Sequence, residues 1–467
     1  MGIYRWTPLP SKSELGLAQI ERGHPITNLS DSSELDALRS EILRLTGEFA
    51  ELLLKPQKFI PGVSEIPVSG KVLTSPDFQS LVESSLDGWL TSGRFTKQFE
   101  KSLSNYVGVR SALFVNSGSS ANLIALSGLT SRKLGERALK VGDEVITVAM
   151  GFPTTINPII QNGLIPVLID INLETLDALP EMIEEAVSPK TRAIMMAHTL
   201  GNPFNLDAVQ KICQKYNLWL IEDSCDALGS TYNGKRTGSF GDTATLSFYP
   251  AHHITTGEGG AVFVKSPLVR NQVESFRDWG RDCYCETGKD NTCNKRFEWQ
   301  LGDLPYGYDH KYTYSHIGYN LKATEMQAAL GLSQLSKLEM FIQARRSNYE
   351  YLKERLSDTE GLQIAKATEN SEPSWFGFPI TLDANHPVNR EELIKFLNSR
   401  KIATRLVFAG NITKQPAYKD VNFRIVGDLK NSDIAMTRSF WLGVYPGLTN
   451  RMLDYVADSV IEFMDRH

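Results

Sequence analysis

The sequence predicts an α/β protein with a large, mostly parallel mixed sheet flanked by helices and a smaller C-terminal α/β domain. Between about residues 75 and 270, short apolar runs alternate with helical patterns, as expected of strands buried on both faces. From about residue 324 a long helical pattern begins, followed by a shorter mixed pattern that runs to His467. The chain has 467 residues, of which 41% are hydrophobic, enough for more than one domain. The expected units are an N-terminal extension (1–70), a large domain (71–325) and a small domain (326–467).

In chain order, the first 30 or so residues are polar and irregular and suggest no function. Over residues 34–54, Leu35, Leu38, Ile42, Leu45, Phe49, Leu52 and Leu53 recur at helical spacing. They predict an amphipathic helix packed on the main body. The Pro-rich stretch 55–70 reads as a linker. Strands are expected at 144–148, 165–171, 193–197, 218–222, 244–248 and 261–264, with helices between most of them, for example at 207–216. Ligands of such sheets bind at the carboxyl ends of the strands. Residues 276–320 are tyrosine-rich, poor in aliphatics and hold three cysteines, so they read as an insertion held by something other than a core.

A net charge of −5 leaves no electrostatic footprint for nucleic acid and no basic run for a membrane surface. The N-terminus lacks the apolar centre of a signal peptide, and Trp6 breaks the myristoylation pattern. The most apolar stretch, 158–171, is interrupted by Gln161, Asn162, Gly163 and Asp170, so no span is expected and the location is read as cytoplasmic. Five cysteines without a secretory signal argue against a disulfide framework. Cys225, Cys283, Cys285 and Cys293 form the pattern C-x57-C-x-C-x7-C, whose thiolates suit zinc or an iron–sulfur cluster, and spacing alone favours structural zinc. Cys213 falls inside a helical pattern and reads as buried.

Three segments carry the chemistry. Residues 116–122 (NSGSSAN) follow an apolar run, so a Gly/Ser turn and helix start could bind an anion or form an ordinary cap. Residues 218–223 (LWLIED) end a strand in two acids, either a solvated loop end or a partner for a protonated pyridine nitrogen. Residues 247–260 (SFYPAHHITTGEGG) place a hydroxyl, a histidine pair and a Gly-rich turn in order.

Together with Ser92-Gly93-Arg94, GDEVITVAMGFPTT, IEDSCDALG, GSFGDTATLSF, GYNLKATEMQAALG and RLVFAGNITKQPAY, these segments resemble the sugar aminotransferase and dehydratase family of fold-type I PLP enzymes, over residues 70–467. The resemblance implies nucleotide-linked keto-sugar substrates and a homodimer. It implies that Gly118, Ser119 and Ser247 bind the cofactor phosphate, that Phe152 stacks on the pyridine ring and that Asp223 pairs with its nitrogen. Asn320 would reach the phosphate of a neighbouring subunit. Arg405, Asn411 and Tyr418 would contact the nucleotide-sugar. Asp226 departs from the family pattern, where Gln or His is usual.

Aminotransferase members keep a Schiff-base lysine where this chain has His252. An imidazole cannot form that bond, but it can act as a base near neutral pH. The expected cofactor is therefore pyridoxamine 5′-phosphate (PMP), held noncovalently, and the expected reaction is loss of the C3 hydroxyl of a 4-keto sugar. Cys225 lies two residues after Asp223, which moves the metal reading from zinc to an electron-carrying cluster. The cysteine pattern resembles the dehydratase branch that makes 3,6-dideoxysugars of O-antigen lipopolysaccharide. That branch implies a [2Fe-2S] cluster on Cys225, Cys283, Cys285 and Cys293, a CDP-linked 4-keto-6-deoxyglucose, and an NADH-dependent iron–sulfur flavoprotein reductase as electron donor. The alternatives are a cluster-free PMP dehydratase of the colitose type, a TDP-sugar 3-dehydratase, and a non-catalytic regulator on a PLP scaffold.

Overall fold

The computed structural model describes residues 29–283, 285, 291, 292 and 294–466. Its main sheet has eight strands in the spatial order β1 (Ser111–Val115), β9 (Gly260–Val264), β8 (Thr243–Ser247), β5 (Trp219–Asp223), β4 (Thr191–Ala197), β2 (Glu144–Val148), β3 (Ile165–Ile169) and β13 (Arg424–Ile425). Strand β9 runs antiparallel to both its neighbours, and the other pairs are parallel. All six expected strands are present, with ends moved by no more than two residues. Their apolar runs are continuous because both faces are covered. Ile194 and Met196 enter one core cluster, whereas Ala193 and Met195 enter another on the opposite face.

Helices α4 (Gly118–Ser127) and α8 (Pro267–Arg277) cover the second face, and α7 (Leu206–Tyr216) packs on the first. A second sheet of β10 (Leu362–Ile364), β12 (Gly377–Leu382) and β14 (Ser439–Gly443) is fully antiparallel. It shares a core with α10 (Leu338–Leu356), α11 (Arg390–Ser399) and α13 (Asn450–Met464) through Leu352, Phe378, Leu393, Phe440 and Val460. A short ribbon of β6 (Thr231–Tyr232), β7 (Lys235–Arg236) and β11 (Ser371–Glu372) completes the strands. No helix among the described residues is long and apolar enough to cross a membrane.

Three expectations are corrected. The single helix expected from residue 324 is two, α9 (Glu325–Leu335) and α10, broken at Ser336 and Lys337. The break lies over buried Asp77, which accepts hydrogen bonds from Ser333 (2.7 Å) and Gln334 (3.0 Å) and pairs with Lys337. The stretch 55–70 is more than a linker: Phe59 and Ile66 enter the core of the small sheet, and Ile66 bonds the backbone on both sides of Ile402. Helix α1 (Leu29–Leu53) forms as expected, but its apolar stripe is exposed.

Candidate active site

The carboxyl ends of β4, β5 and β8 open into a cavity of about 480 Å³. Strand alternation sorts the two acids of residues 218–223. Glu222 points to the face of Leu220 and Asp223 to the face of Ile221. Glu222 is fully buried and accepts from His198 (3.1 Å) and the backbone N–H groups of Gly238 (2.9 Å) and Phe240 (2.8 Å). Burial alone would raise its carboxyl, but these donors, His198 first among them, hold it below the usual range. Glu222 is therefore structural, and Asp223 is the acid that reaches the cavity.

Asp223 is clamped. Its Oδ2 accepts from Asn122 Nδ2 (2.8 Å) and Thr155 Oγ1 (2.6 Å), and its Oδ1 from the Cys225 N–H (3.1 Å). Thr245 Oγ1 in turn donates to Asn122 Oδ1 (2.6 Å). The sequence reading missed Asn122, Thr155 and Thr245 as site residues, although all three lie inside quoted motifs.

Helix α4 aims its N-terminus at the same cavity. Ser117 caps it, accepting from the Ser120 N–H, while Gly118 and Ser119 line the wall beside Ser247. A Cβ on Gly118 would lie 2.5 Å from Cβ of Ser247, so only glycine lets β8 approach the helix end this closely. The result is an anion cradle of backbone N–H groups and one hydroxyl. Phe152, about half exposed, stands at the wall 6.0 Å from the ring of Phe408 in an edge-on pair.

His252 lines the cavity with Asp226. Its Nδ1 lies 3.3 Å from Asp226 Oδ1, an ion-pair distance without a well-aligned hydrogen bond. Burial raises the Asp226 carboxyl above the usual range, His252 opposes that shift, and the Asp223 charge adds to it. Phe376 packs 5.1 Å from the His252 ring. Beneath it, fully buried Arg345 donates to the carbonyls of Trp375 (3.2 Å), Phe376 (3.1 Å) and His252 (3.4 Å). Burial lowers its guanidinium to about 10, an effect the Asp226 charge opposes. Arg345 therefore ties the His252 loop to the start of β12, a role invisible in a charged helical pattern. His253 differs from its neighbour: it is buried, and its Nε2 donates to the Ser374 carbonyl at 2.7 Å. Burial, then the Arg345 charge, pushes its imidazole well below the usual range, so it stays neutral.

Cys225 also lines this cavity, but Cys283 lines a second one with Lys133, Asp282, Trp299 and His310. Cys285 adjoins Cys283, its N–H 3.5 Å from the Cys283 sulfur. Cys293 lies outside the described residues. Among the described residues no three His, Cys, Asp or Glu side chains are arranged to hold a metal. Burial and the charge of Asp223 push the Cys225 thiol well above its usual range. Cys213 is buried on α7, as expected, with its thiol raised to about 12 by burial.

Of the residues expected to contact the nucleotide-sugar, Arg405 lines the cavity and Asn411 and Tyr418 do not. Asn411 is buried, donating to Asp433 (2.7 Å) and accepting from the Thr413 N–H (3.1 Å). The Tyr418 hydroxyl donates to Asn157 at 2.5 Å. Both brace the loop that follows Arg405. Asn320 is exposed and lies off the cavity wall, bridged to Asp278.

Comparison with known proteins matches residues 73–461 to the model of the DegT/DnrJ/EryC1/StrS aminotransferase family. The chain belongs to that family. The lipopolysaccharide biosynthesis protein RfbH of Salmonella typhimurium is 60% identical over 427 residues, 91% of this chain and 98% of its own. The dTDP-4-dehydro-2,6-dideoxy-D-glucose 3-dehydratase of Saccharopolyspora spinosa is 56% identical over 406 residues, 87% of this chain and 88% of its own. Among solved structures, the E. coli GDP-4-keto-6-deoxy-D-mannose 3-dehydratase with bound hydrated PLP superposes with a TM-score of 0.76 at 30% identity, covering 84% of this chain and 98% of that one. The family match begins after α1 and takes in both sheets and the whole cavity wall except Ser69.

Proposed function

We propose that the protein removes the C3 hydroxyl of a nucleotide-linked 4-keto-6-deoxyhexose with PMP, using His252 as the proton-transfer group. The observation that carries this reading is a histidine, paired with a carboxylate, at the family's lysine position in a cavity that also holds Gly118, Ser119, Asp223 and Ser247. Two relatives named as nucleotide-sugar 3-dehydratases support it. The cavity fits the cofactor: the α4 N-terminus and Ser247 suit a phosphate, and the clamped Asp223 suits a protonated ring nitrogen. The bound group supplies an electron sink in its pyridine ring. Gly118, Ser119 and Ser247 would hold the phosphate, Asp223 the ring nitrogen, and Phe152 would stack on the ring. With Nδ1 turned to Asp226, His252 has Nε2 left to take and return a proton at the cofactor methylene. Arg405 would meet the nucleotide-sugar from across the cavity.

The reading extends to CDP-4-keto-6-deoxyglucose in 3,6-dideoxysugar synthesis, in keeping with 60% identity to a lipopolysaccharide biosynthesis protein. It also includes a homodimer, in which exposed Asn320 reaches the neighbouring site, and location in the cytoplasm. A [2Fe-2S] cluster on Cys225, Cys283, Cys285 and Cys293, fed by an NADH-dependent iron–sulfur flavoprotein reductase, rests on the cysteine spacing and on the closeness of Cys225 to Asp223 in sequence. The described cysteines of one chain, divided between two cavities, do not fit such a cluster as they stand.

The cofactor attachment is directly testable. Borohydride treatment of the PLP-loaded protein should leave residues 240–260 unmodified, since the segment has no lysine. Peptide mapping reads the result. A cofactor fixed to any lysine of the cavity region would overturn the noncovalent reading.

A further inference from the structure

Two buried polar atoms behind His252, Arg345 Nε and His253 Nδ1, meet no hydrogen-bond partner among the described residues. Arg345 is fully buried and His253 is 3% exposed. Orphaned polar atoms at such depth are uncommon, because each has given up water without gaining a substitute. Both residues line one small cavity of about 10 Å³, together with His252, Thr255 and Gln334. The cavity lies between the His252 loop, the segment at 70–72 and helices α9 and α10.

The two atoms are complementary. His253 Nε2 carries the ring proton, since it donates to the Ser374 carbonyl at 2.7 Å. Burial and the Arg345 charge keep the ring neutral, so Nδ1 is an acceptor. Arg345 Nε is always a donor. The occupant of the cavity must therefore accept one hydrogen bond and donate another. A metal cation cannot do the first, and a simple anion cannot do the second. The volume suits a single water. We propose that one buried water fills this cavity, accepting from Arg345 Nε and donating to His253 Nδ1, and that this bridge positions the His252 loop. Gln334 Oε1, which takes a long 3.4 Å bond from the Thr255 N–H, offers an acceptor for the second O–H and gives the water three partners.

The bridge joins two arms that the protein already builds. Arg345 donates to the carbonyls of His252 (3.4 Å), Trp375 (3.2 Å) and Phe376 (3.1 Å), and His253 reaches the adjacent Ser374 carbonyl. With the water in place, α10 and the stretch 374–376 grip the chain at both 252 and 253. His253 and Arg345 are thus positioning residues for the proton-transfer group. That role rests on the catalytic reading of His252, whereas the water itself does not.

The test pairs a structure with two substitutions in the PMP-loaded protein. A crystal structure of the wild-type protein should show one ordered water within hydrogen-bonding distance of both Arg345 Nε and His253 Nδ1. His253→Gln keeps a donor near the Nε2 position but sets no acceptor at Nδ1. His253→Asn sets an amide oxygen near the Nδ1 position but gives up the bond to Ser374. With PMP affinity unchanged in both, exchange at the cofactor methylene should fall about 3- to 10-fold in His253→Gln, the scale of one hydrogen bond, and stay near the wild-type rate in His253→Asn. No water between the two atoms would overturn the bridge. A glutamine variant at the wild-type rate, or an asparagine variant that falls as far, would overturn the positioning role. Should either variant fail to fold, the wild-type structure decides alone. His252→Asn measured alongside keeps the two readings apart: normal exchange there would remove the catalytic reading, and the crystal structure would still decide the water.

Discussion

His252→Asn should lower solvent-hydrogen exchange at the methylene of bound PMP by about 10²-fold or more, the usual scale for loss of a general base. Asparagine keeps the polarity of the position and removes the proton acceptor. Cofactor affinity should change little, because the phosphate cradle and Asp223 are built from α4, β8 and β5. The neighbouring His253 cannot stand in: its Nε2 is committed to the Ser374 carbonyl and it lies outside the main cavity wall. Asp226→Asn should produce a smaller loss, since the base remains and only its charged neighbour at 3.3 Å is removed. Exchange monitored by NMR in deuterated solvent reads both variants. Unchanged exchange in His252→Asn would assign the proton transfer to another group.

The proposed cluster, which the described cysteines of one chain do not assemble, stands or falls on Cys283→Ser: on that reading the variant loses bound iron and net deoxygenation with a reductase and NADH, while PMP binding and methylene exchange largely survive. Removing the hydroxyl needs no electrons, whereas completing the deoxygenation needs two. Serine is a poor ligand for the soft iron of a cluster. The substitution falls in the second cavity, away from Asp223 and His252, so the proton-transfer step has no structural reason to fail. Iron content after anaerobic purification and product analysis read the outcome. A Cys283→Ser protein that still yields the 3-deoxy sugar would remove the cluster from the account, as would wild-type protein holding one zinc and no iron.

The fold was legible where local pattern and burial agree. The runs at 144–148 and 193–197 are apolar throughout because β2 and β4 are covered on both faces, and those strands form where expected. The cavity was legible where chain order alone carries the chemistry: Gly118, Ser119, Phe152, Asp223, Ser247, His252 and Arg405 all line one cavity. What was hidden depends on long-range contacts. The α9–α10 break follows from Asp77, more than 250 residues earlier in the sequence. The Asp223 clamp needs Asn122 and Thr155, which only the folded sheet brings together. Arg345 reads as one more helical charge until its carbonyl partners are seen. The stripe of α1 showed a helix, but the pattern could not say that its apolar face is left exposed by the described residues.

The central claim is that a histidine at the lysine position turns a family of amino-group transfer toward C3 dehydration. Its most direct measurement is product analysis of wild-type protein incubated with PMP and a CDP-linked 4-keto-6-deoxyglucose in ¹⁸O-water without reductase. The account predicts loss of the C3 hydroxyl and, because dehydration reverses in the absence of electrons, incorporation of ¹⁸O at C3 that is absent from His252→Asn. Accumulation of a 4-amino sugar with an unlabelled C3 oxygen would contradict it.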